Sequence, residues 1–567
     1  MYYVKDHWTG DLFDPWEHLG PQRRRMLDSS WPGLFRTHLL SRLPVDRLSR
    51  RFREFRGRPT KELFMMLGGM ILQHLFDLTD TEAREALLFR VDWQYALDIT
   101  APSDARVYVS DRTWRSYRSW CIERGLDGLM FEHLTDALRA AFGVDTSNQR
   151  LDSTHLVSNM RTMGRTALFV ATITKFLKKL SRLRKEAYET LPPDLTARYM
   201  GREAGAGVSR TRPSEAGRTL QAAAEDMAVL VERFRPDDAI RNWAEYGYLE
   251  RVLQEQCAVT GTGRGRLVTV KPPRTVSPDC LQTPADPDAA YNQHKGSGYQ
   301  AQLMETYRPE ETRDPQKPTL VTHVAVEPAD RRDMDALLPA LDATARRRCA
   351  PARLLADTHY GSDENREKAR TRGVELVAPV GGITTPRGRA LGAFTADPVT
   401  GLVTRCPRGR SPEKVTRTPK NRLCAYFSRA VCQTCPFRPD CPVAMHRKWA
   451  VLRYTEAQFR CAQRRVRENT PEFRDVYRWR SGIEGSNSHL KRRTGAGRLR
   501  VRGMGPVRLA VTLKVLGLNI LRCARALAAR IAAVMLAGWP VFAGGSPRMG
   551  QGVTLRSRFY KKTALCA

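Results

Sequence analysis

The stretch Tyr477-Arg-Trp-Arg-Ser-Gly-Ile-Glu-Gly-Ser-Asn-Ser-His-Leu-Lys491 sets Tyr477, Arg480, Glu484 and Lys491 at spacings of 3, 4 and 7 residues. On a helix of 3.6 residues per turn these four side chains share one stripe roughly 60° wide. An acid then stands among cations on one face. Cations that draw in a polyanionic backbone beside a carboxylate able to hold a metal ion are what a nuclease or strand-transfer enzyme needs. A solvated helix with an ordinary salt-bridge row is the bland alternative.

The rest of the chain points the same way. Its 567 residues are enough for two to four domains. A content of 41% hydrophobic and 27% charged residues is ordinary for a globular protein, but 94 Lys and Arg against 60 Asp and Glu leave a formal charge of +34. Such a surface binds DNA or RNA through phosphate neutralisation, with affinity that falls steeply with salt. The most apolar stretch, Val507 to Trp539, is interrupted by Arg508, Lys514, Arg522, Arg525 and Arg530, so it reads as an amphipathic or buried helix pair and no membrane partner is expected. The N-terminus has no continuous apolar segment, which makes a cytoplasmic protein with reduced thiols the expectation.

Residues 1 to about 145 read as helical, with apolar periodicity over Leu63 to Asp77 and Ala83 to Phe89 and a further helix opening at Asp111, its expected N-cap. Arg112, Arg115 and Arg118 alternate there with Trp114, Tyr117 and Trp120, which suits either a phosphate-facing helix or a core helix with a solvated edge. A strand ends at Leu151-Asp152, and a basic helical pattern runs from Thr166 to about Tyr188. The glycine cluster Thr260 to Arg266 lacks Gly-Lys-Ser/Thr, so it is a basic loop and not a P-loop. Strands are predicted over Tyr299–Tyr307, Thr319–Glu327, Arg353–Asp357 and Val374–Val380, with helices over Asp330–Arg348 and Asp363–Arg372. Alternating strands and helices give an α/β sheet with covered faces.

Asp152 and Asp357 end separate strands and Glu484 stands on the later helix, so three carboxylates distant in sequence can meet at one sheet edge. In-line displacement at a phosphodiester is served by two hard cations about 3.5–4 Å apart, and carboxylates hold Mg²⁺ while leaving positions open for phosphate and water. Taken singly, an Asp at a strand end more often caps the next turn.

In these motifs the chain resembles the DDE transposases of bacterial insertion sequences that carry a Tyr-x2-Arg-x3-Glu-x6-Lys signature. Tyr477, Arg480, Glu484 and Lys491 match it without a gap, Leu151-Asp-Ser-Thr-His-Leu-Val-Ser-Asn159 is similar to the first-aspartate segment, and Ala356-Asp-Thr-His-Tyr-Gly-Ser362 to the second. The resemblance implies an RNase H-like mixed sheet flanked by helices and split by insertions, with an all-helical N-terminal DNA-binding region. It implies Asp152, Asp357 and Glu484 as ligands of Mg²⁺ or Mn²⁺, two ions in all, which activate water to cut one strand and then the freed 3′ hydroxyl to attack target DNA. Phosphate contacts would come from Tyr477, Arg480 and Lys491 with Arg492, Arg493, Arg498, Arg500 and Arg502; between 474 and 508 ten Lys or Arg face two acids, Asp475 and Glu484. A homodimer is expected once DNA is bound. The alternatives are a catalytically silent DNA-binding protein on the same scaffold, or an RNase H-like nuclease without strand transfer.

The expected organisation is 1–145 helical and DNA-binding, 146–188 first core strand and helix, and 189–290 helical and basic insertion. Residues 291–382 would be central strands and helices, 383–460 a cysteine-containing insertion, 461–538 the Glu484 helix and C-terminal helices, and 539–567 a basic tail. In the cysteine segment, Cys432-Gln-Thr-Cys435 is a chelating pair, Cys441 follows, and Cys424 or Cys406 would be the fourth ligand of a structural Zn²⁺. Reduced thiols in a turn-rich insertion are the competing reading.

Overall fold

The computed structural model describes residues 2–7, 9, 12–52, 59–201, 214–261, 263–309, 314–382, 391–397 and 400–537; the basic tail 539–567 lies outside them. The N-terminal part is helical. Helix α1 (Leu63–Leu75) is apolar nearly all round, so every residue but His74 is buried, and Glu62 caps it by accepting from the Phe64 and Met65 amides. In α2 (Asp111–Glu123) the cap is Ser110, whose hydroxyl accepts from the Thr113 amide at 3.2 Å, which corrects the expected Asp111 cap by one residue. Asp111 is free to pair with Arg115, and Arg118 pairs with Asp80, while Trp114 and Tyr117 are buried. Helix α3 (Leu126–Phe142) follows and ends at Gly143 in the left-handed region.

Strand β1 (Asn148–Leu156) opens the main sheet. It is followed by α4 (Arg165–Leu183), α5 (Ala216–Phe234) and α6 (Ala244–Gln256), which gather round Phe169, Phe176, Met227 and Tyr246 in a core of their own. Cys257–Thr260 and Leu267–Val270, which flank the glycine cluster, pair as antiparallel strands. The sheet resumes with β2 (Gly296–Thr306) and β3 (Val321–Pro328), then α7 (Asp333–Arg346), β4 (Arg353–Ala356), α8 (Asp363–Arg370) and β5 (Glu375–Val377). Its strand order is 3-2-1-4-5, antiparallel through β3, β2 and β1 and parallel through β1, β4 and β5, and a short sixth strand, Ala290–Asn292, pairs antiparallel with the start of β2. That is the mixed, helix-covered α/β sheet expected from the alternation of elements.

A four-stranded antiparallel sheet built from Lys414–Arg417, Leu423–Ser428, Ala444–Met445 and Trp449–Tyr454 comes next, packed on Phe394 and Phe459. Three helices follow, α9 (Glu456–Arg467), α10 (Pro471–Tyr477) and α11 (Gly482–Arg493); the signature runs from the last residue of α10 into α11. The single helix expected over Tyr477 to Lys491 is broken by a 3-10 turn at Arg478–Ser481. The break falls where Arg150 lies against the chain, donating to the Trp479 carbonyl at 2.7 Å.

The expected C-terminal helix pair is one continuous helix, α12 (Met504–Ala537). By length and composition its Met504–Val534 part could cross a membrane, yet 72% of its most apolar window is buried inside the fold. Four of the five cations that interrupt its apolar run find partners there: Arg508 pairs with Asp127, Lys514 with Asp77, Arg522 with Glu305, and Arg530 donates to the Phe142 carbonyl, while Arg525 is exposed. Helix α12, the N-terminal helices and the inner face of the sheet share one hydrophobic core.

Candidate active site

Register brings the two aspartates together. In the parallel β1/β4 pair Leu151 stands opposite Ala356, so Asp152 and Asp357 each sit one residue beyond the last paired position, on neighbouring strands. Glu484 occupies the first turn of α11, where the positive end of the helix dipole favours a carboxylate, and Lys491, Arg492 and Arg493 fill the last turn.

All three acids meet one side chain. The Arg480 guanidinium lies 3.0 Å from Asp152 Oδ1, 3.8 Å from Asp357 Oδ2 and 2.7 Å from Glu484 Oε1. Asp357 also performs the capping role open to any strand-end Asp, its Oδ1 accepting from the His359 amide at 2.8 Å, while Oδ2 lies 3.4 Å from His359 Nδ1 as well as near Arg480. Burial pushes the Asp152 carboxyl up to about 6, with the charges of Asp357 and Asp333 adding to the effect and Arg480 opposing it. Asn487, one turn beyond Glu484, donates to Asp152 Oδ2 at 3.3 Å. Its own Oδ1, like Arg480 Nε, is buried without a hydrogen-bond partner. The three carboxylates are an all-oxygen set that suits Mg²⁺ or Mn²⁺ better than a softer ion.

A second charged cluster stands directly behind the first. Arg150 is two residues from Asp152 on the same face of β1 and is paired across strands with Glu305 of β2, at 2.6 Å. Glu305 is fully buried and also receives Arg522 of α12 at 3.0 Å and the Ser486 hydroxyl of α11 at 2.9 Å. Burial raises its carboxyl, but Arg522 and Arg150 more than offset this and hold it below its ordinary value. This cluster, together with the Arg150 contact to Trp479, ties α11 to the sheet. Neither it nor Asn487 was anticipated from sequence; the only signal is the run of buried polar residues Gln300, Gln302 and Glu305 in an otherwise apolar strand.

The other expected DNA contacts divide in two. Arg492, Arg493 and Arg498 are exposed. Arg500 is drawn to the carbonyl and carboxylate of Asp77, and Arg502 to the Asn159 carbonyl, so these two fix the segment to the body of the protein. Lys491 is half-buried, its amine pushed down by burial and by the charge of Lys295. Tyr477 stacks on Phe473 with ring centroids 5.4 Å apart. Arg308, Lys317 and Arg478 line, with Arg150, Tyr307 and Trp479, a basic cavity of about 850 Å³ on the far side of Gly482.

The cysteine quartet needs correction. Cys406, Cys432, Cys435 and Cys441 line one cavity, whereas Cys424 is buried in a strand between Thr416 and Arg453. Spacing along the chain could not separate the two candidates, because strand alternation puts Cys424 on the face opposite Leu423, Ala425 and Phe427, whereas Cys406, Cys432 and Cys441 pack against the core those three residues form. Among the described residues no group of three or more His, Cys, Asp or Glu is arranged to hold a metal ion as it stands. At the three acids the space is shared with Arg480.

Two family models match the chain. That for a transposase DDE domain covers residues 405–524, which include Arg480, Glu484 and Lys491 but begin downstream of Asp152 and Asp357. That for a transposase domain (DUF772) covers residues 33–113, the helical region through α1 to the start of α2. A DDE domain implies an RNase H-like fold, with which the mixed sheet agrees. No curated protein and no solved structure matches.

Proposed function

The chain belongs with the DDE transposases of insertion-sequence type, and from that premise we propose that Asp152, Asp357 and Glu484 form the centre that cuts DNA at the element ends and joins it to target DNA. One observation carries this reading: three carboxylates from two strands and a helix, far apart in sequence, stand within 3.8 Å of a single guanidinium.

When bound, two Mg²⁺ or Mn²⁺ ions at these acids would polarise the scissile phosphate and stabilise the attacking and leaving oxygens. Asp152 and Asp357 hold fixed positions because their strands are hydrogen-bonded neighbours, and Glu484 closes the centre from α11. Asn487 orients Asp152 from the same helix. Arg480 and Lys491 grip phosphates flanking the scissile bond, and exposed Arg492, Arg493 and Arg498 follow the strand outward. Water is the nucleophile for the cut and the freed 3′ hydroxyl for the joining step, at the same acids and without a covalent enzyme intermediate. The N-terminal helices recognise the element ends, the helical and cysteine-bearing segments are insertions into the core, and two copies hold two ends.

A divalent-metal-dependent nicking assay on DNA carrying the element end tests the assignment. Asp152→Asn, Asp357→Asn and Glu484→Gln should each lose on the order of 10³-fold or more in cleavage while still binding DNA. Undiminished cleavage in any of them removes that acid from the centre. The catalytically silent reading draws on the guanidinium seated among the acids, and a wild-type protein that binds DNA but never nicks it would establish that reading instead.

A further inference from the structure

The position of Arg480 says how the centre is regulated, on the premise that these acids hold divalent ions. Three carboxylates facing one guanidinium leave an excess of negative charge, yet one oxygen of each is already engaged by Arg480. A guanidinium and a divalent ion cannot occupy the same few ångströms between these carboxylates. Loading therefore requires Arg480 to leave. Its seat is incomplete: the buried Nε has no hydrogen-bond partner, so the side chain gives up fewer bonds on moving than a fully satisfied arginine would. It also springs from the 3-10 turn Arg478–Ser481 and not from the helix proper, next to the cationic cavity lined by Arg478, Lys317 and Arg308. A DNA phosphate offers what the acids do not, a bidentate partner for Nε and Nη together.

We propose that Arg480 is a DNA-released guard, which neutralises Asp152, Asp357 and Glu484 in the free protein and uncovers them for divalent ions when a DNA phosphodiester draws the guanidinium away. The consequence is ordered loading, with DNA first and metal second. An unloaded centre in the DNA-free protein does not hydrolyse stray phosphodiesters.

Mn²⁺ binding to the full-length protein, read by electron paramagnetic resonance of the free ion, tests this without any turnover. In the absence of DNA, Arg480→Gln should bind Mn²⁺ roughly 5- to 100-fold more tightly than wild type, and the gain should vanish in Arg480→Gln/Asp152→Asn. A short mixed-sequence duplex at low salt should tighten Mn²⁺ binding by wild type at least about 5-fold more than by Arg480→Gln, in which no guanidinium has to be released. Arg480→Lys, which keeps the charge but loses the planar fork, should fall between the two, and it serves if Arg480→Gln proves unstable. Equal DNA-free affinity of wild type and Arg480→Gln, both abolished by Asp152→Asn, overturns the guard and leaves the metal centre standing. Mn²⁺ binding that is absent from every variant even with DNA, or indifferent to Asp152→Asn, overturns both.

Discussion

Two arginine–carboxylate clusters sit side by side on the same face of β1, and they differ in charge balance and exposure. Around Glu305 one acid meets two arginines, Arg150 and Arg522, and the carboxylate is wholly buried. Around Arg480 one cation meets three acids, and the Glu484 side chain is 62% exposed. The first is a closed structural tie, because a buried charge survives only when every lone pair is used. The second is under-neutralised and open to solvent, which is the condition for binding a cation and a phosphate. Identical side-chain chemistry is thus sealed in one place and left open in the other, and the excess of negative charge distinguishes them, as the proposed function requires.

The sharpest way to break that comparison is Glu305→Ala. It strands Arg150 and Arg522 without their acid and should cost about 3–5 kcal/mol, read as a large fall in melting temperature. A loss within experimental noise would mean the inner cluster does not hold the fold.

Asp152→Asn should do the opposite. In the folded chain this carboxyl is raised to about 6 from an ordinary 3.8, so folding disfavours its charged form. The penalty is absent below the unfolded value, grows as pH rises between the two and is fully present above about 6. The metal-free, DNA-free variant should therefore be more stable than wild type by roughly 1–3 kcal/mol at about pH 7.5, a gain that shrinks towards about pH 4. Parallel melts across this range check the sign, and an inactive variant that is more stable is the mark of a residue kept for function.

Two glycines of α11 give the finest contrast. A Cβ at Gly482 would stand 2.1 Å from Arg150 Nη1, whereas at Gly485 nothing lies within 4 Å. Gly482→Ala should destabilise by about 1–3 kcal/mol through displacement of Arg150, and Gly485→Ala should stabilise by roughly 0.5–1 kcal/mol as an ordinary helix substitution. Sequence reading treats these two as equals, and denaturation of the pair separates them.

Much of the fold was legible because its signals are local. The strand predicted over Tyr299–Tyr307 lies within one residue of β2's C-terminal end, and the helix over Asp363–Arg372 contains α8, since alternation and turn residues mark both. What failed depended on partners from elsewhere in the chain. The helix through Tyr477 breaks because Arg150, more than 300 residues away, binds the Trp479 carbonyl. The C-terminal segment is one helix and not two because four of its five interrupting cations are met by an acid or carbonyl of the surrounding core, while Arg525 faces outward. Cys406 stands in the cysteine cavity where Cys424 was equally eligible, since strand pairing set which thiol faces it.

The sequence by itself determined which residue types this protein offers a polyanion and which acids end its strands, because composition, spacing and backbone periodicity are properties of the chain alone. Only the tertiary structure decided that Asp152, Asp357 and Glu484 share one guanidinium while Glu305 is sealed between two, because strand register and burial fix which charges face each other and how much water remains between them.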